Sequence, residues 1–340
     1  MNKLTWFKKN LFSTWYNSLL TIFCLVIIFS IVKGCLFWAF NQAQWQVIQV
    51  NIHLFLVGRF PKSLYWRIWI VLGIIITLSG ITWSVFTKKP NIIKQRFSQF
   101  IIPFLAPIWL LSFAINIWLI GGGFGLQSVS TNLWNGLLLT LLMAVISIVL
   151  SFPIGVLLAL GRTSNLFIIR WFSILYIEIV RGLPLIGILF IAQVMLPLFL
   201  PADLRLDRLI RGIAGLVLFS AAYMAENVRG GLQSIPRGQA EAAKALGLNT
   251  PFVVILIILP QALRAVIPAI VGQFIGLFKD TSLLSLVGLV ELTGIARSIL
   301  AQPQFLGRYA EVYIFIGLIY WVFCYSMSLA SRRLEKQFSN

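Results

Sequence analysis

Six stretches of this chain carry no charged side chain: 10–32, 68–87, 101–120, 133–161, 182–202 and 312–331. Each is at or above the about 20 apolar residues a helix needs to cross the hydrocarbon core of a bilayer. In lipid a backbone must satisfy its own polar groups, so a run of this kind folds as a helix or belongs to a closed barrel. The alternating ten-residue segments of a barrel are absent from the sequence. Two shorter runs complete the expected set: 210–228, which carries Glu226, and 260–280, between Arg264 and Lys279. The fold class expected is an all-α polytopic membrane protein with about eight spans. The first run has basic flanks at Lys3, Lys8 and Lys9 but is too long for a cleaved leader, so it is read as a retained span. Lys33 near its far end is expected to be buried or to snorkel.

Charge sets the orientation. Of 340 residues 11% are charged, and the net charge is +18. In a soluble chain that excess would suggest nucleic acid. Here the basic residues sit between apolar runs, so no nucleic-acid partner is expected, and the excess reads as positive charge retained on one face of a membrane. An inside N-terminus puts Lys88, Lys89, Lys94, Arg96, Arg162, Arg170, the 229–259 segment and the tail with Arg332, Arg333 and Lys336 on that face. The outside segments are then 41–67, 121–132, 203–209 and 281–308. Arg59, Lys62 and Arg67 are a mild exception. Eight spans with both ends inside fit best.

All nine acids fall within 178–340, so ion-paired chemistry is expected in the second half. Three scattered cysteines, Cys24, Cys35 and Cys324, read as buried small apolar groups rather than a disulfide or metal framework. The single His53 excludes multi-histidine metal sites. There is no phosphate-binding loop, H-E-x-x-H, C-x-x-C or G-x-S-x-G pattern. The chain is therefore expected to be no enzyme. Active transport would draw its energy from an ion gradient or a partner.

Two local features stand out. Segment 165–181 is helix-compatible and leads through Gly182-Leu183-Pro184 into the fifth run, so a helix along the inner interface and a break at Pro184 are expected. The longest inside loop contains Gln239 to Leu248, rich in helix formers with a stop at Gly247. It is an ordinary surface helix or one that docks in a partner's groove.

Glu241-Ala242-Ala243, Gly247, Ile257 and Leu259-Pro260 fit the spacing E-A-A-x(3)-G-x(9)-I-x-L-P. This resembles the cytoplasmic signature loop of the membrane subunits of ABC importers. The stretches Ile177–Leu185, Ala222–Gly231 and Phe278–Leu283 resemble the polar amino-acid branch, and the long N-terminal part resembles its general L-amino-acid permeases. The resemblance implies a five-span type I permease core over 126–335, with the coupling loop at 229–260, and a three-span extension over 1–125. It implies alternating access in a bacterial inner membrane, moving amino acids inward. Implied partners are two cytoplasmic ATPase subunits carrying ATP and Mg, a second permease subunit, a periplasmic amino-acid-binding protein, and membrane lipid. No cofactor would be held by this chain.

By the same resemblance Glu241, Ala242, Ala243 and Gly247 couple to the ATPase. Glu178, Arg181, Glu226, Lys279, Asp280 and Glu291 are candidates for the substrate pathway or gate, because ionisable groups within a membrane are functional candidates. Glu226 with Arg229, and Glu178 with Arg181, are also spaced as local helix pairs. Lys279 and Asp280 could fix a gate helix or touch substrate. Glu291 is read as a solvated outer-loop acid, with binding of a substrate ammonium as the other possibility. Gly272 and Gly276 suit close helix packing. The tryptophans and tyrosines near run ends, among them Trp66, Trp69 and Trp134, read as an interfacial belt. A stand-alone secondary transporter would want inverted repeats and proton-carrying acids. An embedded enzyme would want a nucleophile and a base. Neither requirement is met.

Overall fold

The computed structural model describes residues 3–87, 92–201 and 206–338. Lys88, Lys89 and the Asp203–Arg205 stretch lie outside the described residues, as do the side chains of Lys3, Lys8, Lys94, Arg96 and Lys336. Among the described residues the chain is helical throughout, with only isolated β-bridges. The elements are α1 (Lys3–Leu11), α2 (Trp15–Asn41), α3 (Gln46–Val57), α4 (Tyr65–Thr87), α5 (Ile92–Gly121), α6 (Gly136–Arg162), α7 (Phe167–Gly182), α8 (Leu185–Phe199), α9 (Arg208–Ser234), α10 (Arg237–Ala245), α11 (Thr250–Ala265), α12 (Ile267–Asp280), α13 (Leu292–Leu300) and α14 (Tyr309–Phe338).

Among the described residues six helical segments are long and apolar enough to cross a membrane, and seven if α7 and α8 form one broken span. The third expected run lies within α5, whose described apolar part, Pro107–Gly121, is shorter. The seventh is displaced: the spanning stretch is Ile267–Val287, after a break at Val266. α7 and α8 meet at 103° across Leu183-Pro184, where proline has no N–H to continue a helix.

Two prolines explain local widening. Wide π turns at Ile191–Met195 and Val253–Ile258 each precede a Leu-Pro step, at Pro197 and Pro260. Pro197 cannot donate to the carbonyl four residues back, on Gln193. The Arg211 guanidinium from α9 donates to that carbonyl instead.

α9 packs along α6 as the spine of the bundle. A large apolar cluster, with Leu139, Met143, Leu189 and Leu216, joins α6, α8 and α9. A second, with Ala159, Ile177, Met224 and Val228, joins α6, α7 and α9 toward their other ends. The third cluster draws the N-terminal part into the core. Phe55 of α3 is fully buried against α13 and α14 and stacks edge-on with Phe315 at 5.0 Å. The seam closes at Gly136, whose φ of +65° suits glycine, and whose added Cβ would lie 2.6 Å from the Phe55 carbonyl oxygen. Glu311, only 4% exposed, accepts the Gln44 backbone N–H at 3.0 Å.

Several expectations are corrected. Cys24 and Cys35 are exposed and Cys324 is half-buried, on faces available to lipid. No residue of α2 is buried, and Lys33 is exposed, which excludes its burial within the chain and leaves the snorkelling alternative. Arg67 is the reverse: it is 2% exposed, donates to the Gln127 carbonyl at 2.7 Å, and lies against the Trp66 ring. Trp134 is buried rather than part of a belt. Nothing lies within 4 Å of a Cβ built on Gly272 or Gly276, so these glycines face open space in the single chain.

Candidate functional site

Two acids, Glu178 and Glu226, and three arginines, Arg162, Arg181 and Arg229, gather at one end of the bundle. Glu226 sits two turns before the end of α9. Its carboxylate takes Arg229 from the same helix in a forked contact at 2.8–3.1 Å, Arg162 from the end of α6 at 2.9 Å, and Arg181 from the end of α7 at 3.5 Å. Arg162 also reaches Glu178 of α7 at 2.9 Å. The Arg181 guanidinium lies 5.6 Å from the centre of the Tyr223 ring. Of the two pairs expected by helical spacing, Glu226–Arg229 forms. Glu178 and Arg181 instead reach other helices, so the acids staple three helices together. In the sequence Arg162 is no more than a topological charge, because its partners lie 64 and 16 residues away and no local spacing signals them.

Three arginines on two carboxylates leave one positive charge in excess. The forked Arg–carboxylate geometry is the strong form of this contact. Glu178 is 56% exposed and Glu226 only 15%, so the inner half of the cluster is the shielded one and solvent screens the outer half.

α9 runs directly from this cluster into α10. Pro236 starts the short helix, with Gln239 donating to the Pro236 carbonyl at 3.0 Å. Its end is a double cap: Gly247 N–H to Lys244 O at 2.9 Å, and Leu248 N–H to Ala243 O at 3.2 Å. That cap requires the left-handed φ of +85° at Gly247. Ala243 is the one residue of α10 that is buried, and it packs on α11. Glu241 and Ala242 are exposed, and Leu246 is 85% exposed. The helix is thus held by Ala243, the half-buried Ala240 and a Gln261–Gln239 contact at 3.4 Å, with the rest of its surface exposed.

The other end of the bundle is closed by different bonds. Asp207 caps α9 through Leu209 N–H at 2.7 Å and accepts the Thr131 hydroxyl at 2.7 Å. Arg208 donates to Asn132. Glu291 lies here and is fully buried, not solvated. It caps α13, accepting the N–H groups of Thr293 and Gly294 at 2.8 and 3.1 Å and the Tyr320 hydroxyl at 3.1 Å. Thr140 of α6 stands 3.4 Å away. Burial pushes the Glu291 carboxyl up to about 7, against the opposing pull of those hydrogen bonds. No cation lies against it among the described residues. Lys279 is exposed and Asp280 half-buried at the end of α12, with no ion pair to either among the described residues.

Residues 151–340 match the family described as binding-protein-dependent transport system inner membrane component. The chain is 41% identical to the inner membrane amino-acid ABC transporter permease protein YhdY of Escherichia coli (strain K12), over 99% of this chain and 93% of that one. It is 34% identical to the glutamate/glutamine/aspartate/asparagine transport system permease protein BztC of Rhodobacter capsulatus, over 98% and 93%. A solved structure described as an amino acid ABC transporter with histidines superposes with a TM-score of 0.54 at 28% identity, covering 69% of this chain and 98% of that one.

Proposed function

The chain belongs to the family of binding-protein-dependent transport system inner membrane components, and from that premise we propose that it is the permease subunit of an ATP-driven importer of polar amino acids. It is a multi-pass inner membrane protein of the transport class, not a catalytic subunit. Its amino-acid cargo is read from the names of relatives matched over nearly the whole chain.

The observation that carries the reading is the uncovered α10 at the end of α9. Glu241, Ala242 and Leu246 offer one acid, one small residue and one apolar side chain to a cytoplasmic partner, and Gly247 shapes the exit. Ala243 serves the same helix from beneath, seating it on α11. Two ATPase subunits holding ATP and Mg would close beneath a permease pair. α10 would move with them, and α9 would carry that motion to the Glu226 cluster, where α6 and α7 are tied. Such coupling is a population shift between two arrangements of the bundle.

We keep eight spans with both termini inside as the topology of this reading, which draws on a bundle with two chemically different ends. Arg162, Glu178, Arg181, Glu226 and Arg229 gather at one end, and Thr131, Asp207, Glu291 and Glu311 lie toward the other. The bare Gly272–Gly276 face of α12 suits a second permease subunit packed closely on it. A periplasmic binding protein would deliver the amino acid to the end opposite α10. Glu178, Arg181, Glu226, Lys279 and Asp280 remain the candidate gate or pathway groups.

The test is a gentle-detergent pull-down of the tagged chain, wild type beside Glu241→Lys, with partners identified by mass spectrometry. Recovery of an ATPase subunit with the wild type and its loss with the variant supports the reading. A chain recovered alone after cross-linking favours a stand-alone transporter.

A further inference from the structure

Between α5 and α6 the chain folds back in a tight hairpin. Gly123 and Leu126 exchange both backbone hydrogen bonds, at 2.9 and 3.1 Å, leaving Phe124 and Gly125 as the two turn residues. Their φ values are +47° and +91°. Such a turn is at home with Asn-Gly or Gly-Gly, and a bulky residue at positive φ is an outlier. The Phe124 side chain is not sheltered in exchange: it is 101% exposed.

The turn is held rigidly from outside itself. Trp118 Nε1 donates to the Gly123 carbonyl at 2.8 Å, Val129 N–H to the Gly121 carbonyl at 2.9 Å, and the buried Arg67 to the Gln127 carbonyl at 2.7 Å. Strained backbone of this kind persists where the surroundings over-determine it, and it marks a site with a task. The frame therefore presents an aromatic ring outward in a fixed position.

The surroundings identify what receives the ring. Residues 121–132 carry no charge. The flanking helix ends expose Trp66 (46%), Trp69 (72%) and Trp118 (37%), and tryptophans at span ends sit at the headgroup level of a bilayer. We propose that the Phe124 hairpin is a lipid anchor: its ring inserts at the headgroup–acyl boundary of the leaflet opposite the Glu226 cluster, continuous with the tryptophans of α4 and α5. It fixes the depth of the N-terminal spans. A docking protein would be steered by charge; residues 121–132 carry none of their own, and the charges bonded to this segment, Asp207 and Arg208, sit at Thr131 and Asn132, past the turn.

The test uses the full chain in lipid nanodiscs with Cys24, Cys35 and Cys324 replaced by alanine. A nitroxide on Phe124→Cys is expected to collide with dissolved oxygen several-fold more than with a water-soluble nickel chelate. A label on Trp69→Cys should behave alike, and one on Ala242→Cys oppositely. A chelate-dominated signal at 124 overturns the proposal, as does shielding that arises only when a periplasmic binding protein is added. Phe124→Asn suits the turn and is expected to melt no lower in detergent, yet to lose part of the rise in melting temperature that the nanodisc confers. An unchanged rise also overturns the anchor.

Discussion

Arg162 and Glu226 are 64 residues apart in the chain and 2.9 Å apart in space, and their contact joins the end of α6 to α9 just before α9 leads into α10. Arg162 also holds Glu178, so one guanidinium spans two carboxylates on two helices. Any displacement of α10 that tilts α9 is felt at this residue.

Removing the shared acid is expected to be worse than removing one arginine. Glu226→Gln leaves three guanidinium groups facing one another with only the half-exposed Glu178. Arg162→Gln leaves Glu226 with two arginines. A hydrogen bond to a charged group is worth about 1.5–3 kcal/mol, so both variants should melt lower in detergent, Glu226→Gln by more. Uptake in vesicles should fall with the same ranking. Equal melting temperatures in both variants and wild type would remove the cluster from any mechanical role.

Gly247→Asp places a side chain at φ +85°. Strain of this kind runs to about 1–3 kcal/mol, and it falls on the cap of α10 rather than on a membrane span. The variant should insert and assemble normally while ATP hydrolysis by the complex no longer drives uptake. The ratio of amino acid imported to phosphate released measures this directly, and a wild-type ratio would contradict the coupling role.

Glu291 predicts a pH dependence. Its folded carboxyl sits at about 7 against an ordinary 4.5, so between those values the folded chain holds a proton that the unfolded chain has released. The stabilising contribution is full below about 4.5 and is lost as pH rises through about 7. Melting temperature measured from pH 5 to 8 should therefore fall more steeply in wild type than in Glu291→Gln. Parallel slopes would show that burial does not govern this group.

Gly136→Ala tests the seam between α3 and α6. The added carbon would meet the Phe55 carbonyl at 2.6 Å at a φ of +65°. Either α3 shifts or α6 loses its first turn. The expected loss is about 1–3 kcal/mol, seen as a lower melting temperature with protease sensitivity appearing around 44–58. Gly272→Ala, with open space around it, should leave the isolated chain's melting temperature unchanged.

Helices were legible wherever hydropathy alone decides, because a long uncharged run has one solution in lipid. The bend at Pro184 and the stop at Gly247 were legible too, since each follows from one residue's backbone chemistry. Glu291 was not. An acid after Leu283–Val290 reads as solvated until Thr140 and Tyr320, 151 and 29 residues away, are seen to enclose it. The burial of Arg67 is illegible for the same reason: its partner carbonyl is 60 residues away. The Glu178–Arg181 pair failed because spacing permits a contact without choosing it over a better partner on another helix.

The burial of Phe55 and the Glu311–Gln44 bond bear on modularity. The division near 125 expected from the sequence does not divide the packing. Cutting there would bare the aromatic face around Phe315 and strand Glu311, a nearly sealed acid, without the amide it now receives. A shortened version of this protein would need a graft in place of 44–58, because that segment is part of the core.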